Sequence, residues 1–392
     1  MSKASAAPIL FFATGVAGSD GGIASANRNV LAALRQVGEE TGRPVRTLVL
    51  GETGGDRDYR TFGGRKGRFA MATLASMPAA GLAVFDHAHI ARPILALPRG
   101  FGPPIVVCAH GSEASWRLRP SSTRVYRRAD LVLTNSSFTL QRMRAAVSRF
   151  RGASCPLGLP PQFVVSTSPP EPSMEEIVLQ AADGTSKPLG RRVLLLVARM
   201  DATEREKGHR ELLDVMPALR DRYAEVQLVF AGAGTDLPKL KAQAAASPAA
   251  ANIFFTGRAS DALLATLYAK AFAYVMPSRQ EGFGLVYLEA MNYAKPCVAC
   301  HEDGAADVIV DGKTGLLVPR SLEADDLLLA LNRLLGDPAF ARRLGEAGWR
   351  RLASEFSADA HKARVAGFVR PLLRRGDTDA EPNPFFPRVR PQ

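Results

Sequence analysis

Residues 273–289 read AYVMPSRQEGFGLVYLE, a short apolar run followed by a glycine-rich loop and a helical pattern. The apolar run predicts a strand over Ala273–Met276, and a helix is predicted to begin at about Gly284. Glycines let the backbone approach a ligand closely, and the first turn of a helix offers unpaired N–H groups at the positive end of its dipole. The stretch therefore predicts a site for a diphosphate.

Two carboxylates flank this loop, Glu281 ahead of the predicted helix and Glu289 inside it. At this spacing they can accept hydrogen bonds from hydroxyl-bearing rings on either side of a diphosphate, which is the layout of a nucleotide sugar. The alternative interpretation is a solvated helix behind a glycine-rich turn. We favour the ligand site, because an ordinary turn has no need of Gly-Phe-Gly between two carboxylates.

Apolar runs alternate with helical patterns along most of the chain. Strands separated by helices of this length predict an α/β fold of βαβ units, and uninterrupted apolar strands predict parallel sheets covered on both faces. The other strands are predicted at Ile9–Thr14, Val45–Leu50, Leu82–Phe85, Ile105–Ala109, Asp130–Thr134, Val193–Ala198, Val226–Ala231, Ile253–Thr256 and Cys297–Ala299. Helices are predicted at Gly22–Glu40, Phe69–Met77, Ser122–Arg128 and Phe138–Arg149.

A proline-rich segment between Pro156 and Pro188 breaks this alternation and predicts a hinge between two domains. The end of the chain is rich in Pro, Asp and Arg, which predicts disorder. The predicted organisation is a Rossmann-like domain over 1–158, a hinge over 159–190, a second Rossmann-like domain over 191–355, a helix over 356–374 and a disordered tail over 375–392.

Cations and glycines follow several predicted strands, at the edge where open α/β sheets bind ligands. Arg199 and Lys207 come after one strand and suit phosphate oxygens. The alternative is a pair of surface cations. Gly232 follows the next strand, and Gly21 with Gly22 precedes the first helix, where they can cradle an anion.

His110 also follows an apolar strand. A histidine there is often structural, and its place at the ligand-binding edge favours a functional role. His87 and His89 are expected to point to opposite faces of a strand, which argues against a shared metal site. The pair Cys297 and Cys300 has metal or redox spacing but no second pair, so it is interpreted as core, and no metal site is predicted.

The charge of the chain is concentrated in its first part. Of 392 residues, 1–155 carry 21 Lys and Arg against 9 Asp and Glu, while the rest carry 29 of each. This indicates a surface for anionic lipid or phosphorylated substrates, with an unspecialised soluble surface as the alternative. No nucleic-acid motif accompanies the charge. Four cysteines, no apolar stretch of membrane-spanning length and no signal peptide predict a cytoplasmic protein.

Together these segments resemble glycosyltransferase family 4, retaining enzymes of the GT-B fold, over nearly the whole chain. The most specific part is the E-x7-E motif of Glu281 and Glu289, and the segments around His110 and over Asp311–Val318 agree with it. The resemblance implies two Rossmann-like domains whose parallel sheets face a cleft, and a last helix that crosses back to the first domain. It implies that the first domain binds the acceptor and the second the nucleotide-sugar donor.

The resemblance also implies roles for the site residues. Glu289 is expected to hold the ribose, Glu281 the hydroxyls of the donor sugar, and the two cations the diphosphate. The residues expected to act in catalysis are Glu281, His110, Arg199 and Lys207. The residues expected to bind the donor are Gly21, Gly22, Arg199, Lys207, Gly232, Phe283, Gly284, Leu285 and Glu289.

The expected activity is transfer of a hexose from GDP-mannose or a UDP-sugar to an acceptor hydroxyl, in polysaccharide or glycolipid biosynthesis. Cations and helix N–H groups would stabilise the departing diphosphate, so no metal or other cofactor is expected. One hypothesis is a lipid-linked sugar acceptor at the inner face of the cytoplasmic membrane; a soluble acceptor is the other. The same fold also admits a nucleotide-sugar epimerase, a sugar phosphorylase or an inactive membrane-surface scaffold.

Overall fold

The structure is a computed structural model that describes residues 6–17, 21–54, 59–111, 118–160 and 162–374. It divides the chain into two compact units. Unit 1 comprises Met1–Pro161 and Ala358–Gln392, and unit 2 comprises Gln162–Ser357. The tail over 375–392, for which disorder is predicted, lies outside the described residues.

Unit 1 is built around a parallel sheet of seven strands. The strands are β1 (Ile9–Ala13), β2 (Val45–Val49), β3 (Tyr59–Thr61), β4 (Leu82–Phe85), β5 (Ile105–Ala109), β6 (Leu131–Thr134) and β7 (Gly152–Ser154). The helices that alternate with them are α1 (Gly22–Thr41), α2 (Lys66–Ser76), α3 (Pro120–Arg128) and α4 (Ser137–Ala146). The strand order is β3-β2-β1-β4-β5-β6-β7, and every neighbouring pair is parallel.

Unit 2 repeats this plan with a parallel sheet of six strands and a small antiparallel hairpin. The strands are β8 (Val178–Gln180), β9 (Ser186–Pro188), β10 (Val193–Val197), β11 (Gln227–Ala231), β12 (Ile253–Gly257), β13 (Ala273–Val275), β14 (Cys297–Cys300) and β15 (Gly315–Val318). The helices are α5 (His209–Arg222), α6 (Leu237–Ala245), α7 (Asp261–Lys270), α8 (Leu285–Asn292), α9 (Ala324–Gly336) and α10 (Pro338–Arg351). The sheet order is β12-β11-β10-β13-β14-β15, and β8 pairs with β9.

In each parallel sheet, the chain adds strands first on one side of β1 or β10 and then on the other side. This is the strand order of doubly wound sheets, which bind ligands at the carboxyl ends of the strands beside that reversal point. In unit 2 the reversal point lies between β10 and β13, two parallel neighbours.

The strands are buried because helices cover both faces of each sheet. In β1, Ile9 and Phe11 pack into one apolar cluster with Leu34 of α1, while Leu10 and Phe12 pack into a second cluster on the other face. Successive strand residues point to opposite faces, so a strand covered on both sides has to be apolar throughout. The predicted α/β fold with two parallel sheets is confirmed.

The last helix, α11 (Ala358–Arg374), belongs to unit 1 and follows a π-helical turn over Leu352–Phe356. Its residues Val365 and Val369 join the cluster that contains Ile9 and Leu34 of β1 and α1. His361 Nδ1 and Arg364 of the same helix both bond the main-chain oxygen of Pro156, at 2.9 and 3.0 Å. The predicted return of the last helix to the first domain is confirmed.

Residues 162–190, the part of the predicted hinge that the structure places in unit 2, contain the β8–β9 hairpin. Ala182 N donates to the main-chain oxygen of Ile253 in β12 at 2.8 Å, which attaches the hairpin to the edge of the large sheet. Prolines exclude this segment from the parallel sheet without preventing it from packing on the sheet's edge.

All four cysteines are free and buried, as expected from their number and spacing. Among the helices that the structure describes, none combines the length and the hydropathy needed to cross a membrane.

Candidate active site

Two loops of unit 2 meet at the carboxyl ends of β10 and β13. The loop after β10 carries Arg199, and a short 3₁₀ helix in it ends at Lys207. Gly208 then adopts a φ of 85°, and a Cβ there would lie 2.6 Å from Pro277 in the loop after β13. Glycine is therefore required at 208 for both conformation and space, and it brings Lys207 against the second loop.

Lys207 and Glu281 form an ion pair, with Nζ 2.6 Å from Oε2. The two side chains are only 19% and 18% exposed. Burial alone would lower the pKa of Lys207, but the charge and hydrogen bond of Glu281 outweigh it and raise that pKa. The ammonium group therefore stays charged at the point where the resemblance places a diphosphate.

Arg199 is held less tightly. Its side chain is 75% exposed, and its Nη2 lies 2.6 Å from Oε1 of Glu204. An exposed ion pair of this kind contributes little to stability, so the guanidinium can exchange the carboxylate for a phosphate at small cost. The two predicted phosphate-binding cations thus lie on one loop, one fixed and one adjustable.

The glycine-rich loop ends in the helix that the sequence predicts. Gly284, with a φ of 90°, caps α8, which begins at Leu285. Phe283 is buried, and its ring lies 5.9 Å from that of Phe356. This anchors the loop, and the first turn of α8 offers backbone N–H groups that lack intrahelical partners. Because α8 follows β13 and Lys207 follows β10, the helix terminus and the ammonium group come after neighbouring strands of one sheet.

Gly232 has a structural role that does not depend on a ligand. Its φ is 149°, and a Cβ there would lie only 1.9 Å from the main-chain oxygen of Ala198. The loop after β11 thus packs directly on the loop that carries Arg199, and Met200 N donates to Ala233 O at 3.0 Å. A direct role of Gly232 in donor binding stays a prediction.

Glu289 lies on α8 and is partly buried. The hydroxyl of Tyr268 donates a hydrogen bond to its Oε2 at 2.9 Å. Burial raises the pKa of Glu289, and the bond from Tyr268 opposes that increase. The sequence predicts Glu289 as a ligand-binding residue, but nothing in the pattern identifies Tyr268 as its partner.

Asp303, which the sequence analysis missed, supports Glu281 from the loop after β14. Its Oδ1 accepts from Ala305 N at 2.8 Å and its Oδ2 from Glu281 N at 3.3 Å. Gly304 N donates to Glu281 O at 2.8 Å, and a Cβ on Gly304 would lie 2.1 Å from Gly282 O. Burial and then the charge of Glu281 raise the pKa of Asp303 to about 7. The available indication was an acidic residue three positions after the end of a buried strand.

In unit 1, the predicted residues lie at the corresponding edge of the other sheet. Gly21, with a φ of 112°, caps α1, and Gly22 is its first residue. His110 follows β5, and its Nε2 donates to the main-chain oxygen of Asp86 at 2.8 Å. Residues 18–20, the start of the predicted glycine loop, lie outside the described part of the chain.

Asp86 is a second buried carboxylate that the sequence analysis missed. It follows β4, and its Oδ2 accepts from Thr14 N at 2.7 Å and from Asn27 Nδ2 at 2.8 Å. These bonds connect the loop after β1 to α1, while the main-chain oxygen of Asp86 binds His110. Asp86 therefore links the segments that carry Gly21 and His110.

The expectation that His87 and His89 point apart is wrong. Both residues follow β4 in a turn, where the alternation of a strand does not apply, and their Nδ1 atoms lie 2.7 Å apart. Within the ranges that the structure describes, no three His, Cys, Asp or Glu side chains are grouped as a metal site requires.

Comparison with known proteins agrees with this geometry. Residues 181–351, which include the unit 2 site, match the profile of the family described as "Glycosyl transferases group 1". A GDP-mannose-dependent alpha-(1-6)-phosphatidylinositol monomannoside mannosyltransferase of Mycolicibacterium smegmatis is 31% identical over 256 residues, 62% of this chain and 64% of that protein. A glycogen synthase of Mycobacterium tuberculosis is 28% identical over 327 residues, 77% of this chain and 72% of that protein.

Solved structures show the same fold at low sequence identity. Sucrose-phosphate synthase from Thermosynechococcus elongatus has a TM-score of 0.70 at 20% identity, covering 94% of this chain and 99% of that one. Anabaena HepE in complex with UDP and glucose has a TM-score of 0.67 at 18% identity, covering 92% and 99%. The chain therefore has the GT-B fold, and its residues 181–351 are similar to the group 1 glycosyltransferases. The first relative named is matched over less than two thirds of its length.

The structure thus groups the predicted site residues by unit. Unit 2 contains Arg199, Lys207, Gly232, Phe283, Gly284, Leu285, Glu281 and Glu289, and unit 1 contains Gly21, Gly22 and His110. The roles that the resemblance gives these residues stay predictions.

The raised pKa of Asp303 predicts how stability depends on pH. Its folded-state value is about 7 against an ordinary 3.8, so the unfolded chain loses its proton first as pH rises. The stability that Asp303 contributes through this pKa difference is therefore complete below about pH 4 and is lost as pH rises to about 7. The side chain at 303 cannot ionise in Asp303→Asn. The free energy of unfolding of the variant, relative to that of the wild type, should therefore increase by roughly 1–4 kcal/mol over that interval.

Urea denaturation at several pH values between 4 and 8 measures this difference. Asp221→Asn, at an exposed position of unit 2, controls for the loss of one negative charge. A constant difference between Asp303→Asn and wild type across this range would contradict the assignment.

Proposed function

We propose that this chain transfers a hexose from a nucleotide-sugar donor to an acceptor hydroxyl, with retention of configuration at the anomeric carbon. The observation that carries the proposal is the largely buried Lys207–Glu281 pair beside the N-terminus of α8, at the reversal point of the unit 2 sheet. A cation and a helix terminus at this position suit a diphosphate, and the carboxylates suit the hydroxyls of the rings attached to it.

The proposed chemistry follows from where charge develops. As the glycosidic bond of the donor breaks, negative charge grows on the departing nucleoside diphosphate. Lys207 and the N–H groups of α8 are already oriented, and Arg199 can exchange Glu204 for the diphosphate, so these groups stabilise that charge more in the transition state than in the ground state. We propose that these groups suffice without a metal ion.

Retention is proposed to result from attack on the face that the diphosphate leaves. The acceptor hydroxyl forms the new bond to the anomeric carbon while the bond to the diphosphate oxygen breaks, and that oxygen takes the hydroxyl proton. Glu281 is proposed to hold the hydroxyls of the transferred sugar, since its ion pair with Lys207 fixes it beside the diphosphate. Support for a retaining reaction comes from the family, not from a nucleophile in the site.

The donor is proposed to be GDP-mannose or a UDP-sugar. One relative is named as GDP-mannose-dependent, and HepE was solved with UDP and glucose. The test is a binding panel of UDP, GDP, ADP and their common sugar conjugates, measured by thermal shift and calorimetry. One nucleotide should bind wild type and bind Glu289→Ala at least tenfold more weakly, since the variant loses hydrogen bonds to a charged group.

Glu225→Ala, a carboxylate on the surface of unit 2, is the control and should bind as wild type does. Binding of none of these compounds by the folded wild type would reject the proposal in favour of an inactive scaffold. Donor consumption without an acceptor would favour an epimerase, and release of sugar phosphate with inorganic phosphate would favour a phosphorylase.

We further propose that the acceptor is a lipid-linked sugar reached at an anionic membrane surface. The basic charge of residues 1–155 supports this, and the first turn of α2 exposes Arg65, Lys66 and Arg68 beside Met71, which is 66% exposed. Cations around an exposed apolar side chain are typical of a surface that lies on anionic lipid.

Flotation with vesicles tests this proposal. The protein should float with phosphatidylglycerol vesicles at low salt, and reversal of Lys66 and Arg68 to Glu should weaken the association several-fold. Vesicles of phosphatidylcholine are the control. Equal recovery with both lipids, or no flotation at low salt, would favour a soluble acceptor.

A further inference from the structure

Four tyrosines form a connected group beneath the site of unit 2. Tyr268 of α7 lies 5.9 Å from Tyr274 of β13 and 5.7 Å from Tyr293, and Tyr274 lies 5.6 Å from Tyr287 of α8, measured between ring centroids. Tyr268, Tyr274 and Tyr287 are fully buried. A buried phenol must donate its hydrogen bond to a specific acceptor, because leaving it unpaired is costly.

The three buried hydroxyls have different acceptors. Tyr274 donates to the main-chain oxygen of Val197 at 3.1 Å, and Tyr287 donates to that of Met276 at 2.7 Å. These two carbonyls lie at the ends of β10 and β13, so both bonds hold the backbone from which the site loops start. Tyr268 instead donates to a side chain, the carboxylate of Glu289, at 2.9 Å.

We propose that Tyr268 is a positioning residue for Glu289, which holds one carboxylate oxygen so that the other is presented, ionised, to the ribose hydroxyls of the nucleotide. This inference rests on the proposed function, in which Glu289 binds the ribose. Tyr268 is buried on a helix separate from α8, so its hydroxyl touches Glu289 without occupying the ligand site.

The surroundings of Glu289 explain why such a partner is needed. Burial raises the pKa of Glu289, and the negative charge of Asp261 on α7 raises it further. The hydrogen bond from Tyr268 acts in the opposite direction. Tyr274 of β13 and Tyr293 at the end of α8 also interact electrostatically with this carboxylate.

A protonated Glu289 would accept hydrogen bonds from a ribose poorly, because one of its oxygens becomes a donor. Removing the Tyr268 hydroxyl should therefore do two separate things. It should weaken the binding of ribonucleotides, and it should raise the pKa of Glu289, so that binding is lost at a higher pH as the solution is acidified. If Tyr268 only filled the core, removing its hydroxyl would neither weaken ribonucleotide binding selectively nor raise the pKa of Glu289.

The test compares Tyr268→Phe with Tyr274→Phe, which removes a buried hydroxyl from the same cluster but not from Glu289. Affinities for UDP and GDP, and for their 2′,3′-dideoxy analogues, are measured by calorimetry between pH 5 and 9. Tyr268→Phe should bind the preferred ribonucleotide roughly three- to tenfold more weakly, the loss expected for one hydrogen bond. The acid limb of its binding curve, the pH range in which affinity is lost on acidification, should move to higher pH. Its affinity for the dideoxy analogue should change less than twofold.

Tyr274→Phe should leave the acid limb and the ratio of the two affinities as in wild type. If Tyr268→Phe weakened the binding of the ribonucleotide and of its dideoxy analogue equally, or left the acid limb unmoved, the inference would be overturned and Tyr268 would be a packing residue. Failure of wild type to bind any nucleotide would instead count against the proposed function.

A measurement without ligand keeps the two failures apart. Loss of the Tyr268 hydroxyl removes a donor from the ionised form of Glu289. The difference in unfolding free energy between wild type and Tyr268→Phe should therefore grow as pH rises through the titration of Glu289. In a Glu289→Gln background the growth should vanish. A difference that is independent of pH in both backgrounds would overturn the coupling, whatever the nucleotide result.

Discussion

The contact between Lys207 and Glu281 is the interaction on which the site of unit 2 depends. The two residues follow different strands, β10 and β13, which are neighbours because the sheet reverses its winding between them. Their ion pair joins the loop that carries Arg199 and Lys207 to the loop that starts α8. Removing one partner would leave the other charge partly buried without compensation, so the two loops are held as one group.

Close backbone approach is the second constraint, and glycines provide it. Gly208 packs on Pro277, Gly232 on the main chain of Ala198, and Gly304 on that of Gly282. Each contact leaves no room for a Cβ, and each brings together loops that follow neighbouring strands. The loops that carry the predicted site residues are thus fixed by these contacts, which is the preorganisation that the proposed stabilisation of a leaving group would require.

Much of this arrangement follows from local sequence. Buried parallel strands are continuous apolar runs, so each strand predicted from such a run is found with ends displaced by at most one residue. Of the strands that were not predicted, β3 and β7 have three residues and half-exposed side chains at a sheet edge, where no apolar pattern marks them. β15 has four residues and is mostly buried, so its apolar run was an available indication that was missed. The glycine-rich loop and the start of α8 were predictable because glycines and the helical pattern are local features.

The supporting residues were not predictable in the same way. Asp303, Asp86 and Tyr268 act through partners 22, 72 and 21 residues away, and a single sequence does not show which distant groups become neighbours. The error on His87 and His89 has a related cause, since β4 ends at Phe85 and the alternation rule fails just beyond it. Spacing thus predicted the residues for a ligand site, while tertiary packing determines which distant groups contact them.

Mapping where a nucleoside diphosphate binds would test whether the loops joined by Lys207 and Glu281 form the donor site. In ¹⁵N-labelled protein titrated with UDP or GDP, saturable shifts of backbone amides are expected in two segments, 199–208 and 282–286. Lys207→Ala should remove those shifts at the same nucleotide concentration while the rest of the spectrum stays folded. Saturable shifts confined to unit 1, or shifts in unit 2 that spare both segments, would show that the donor does not bind at these loops.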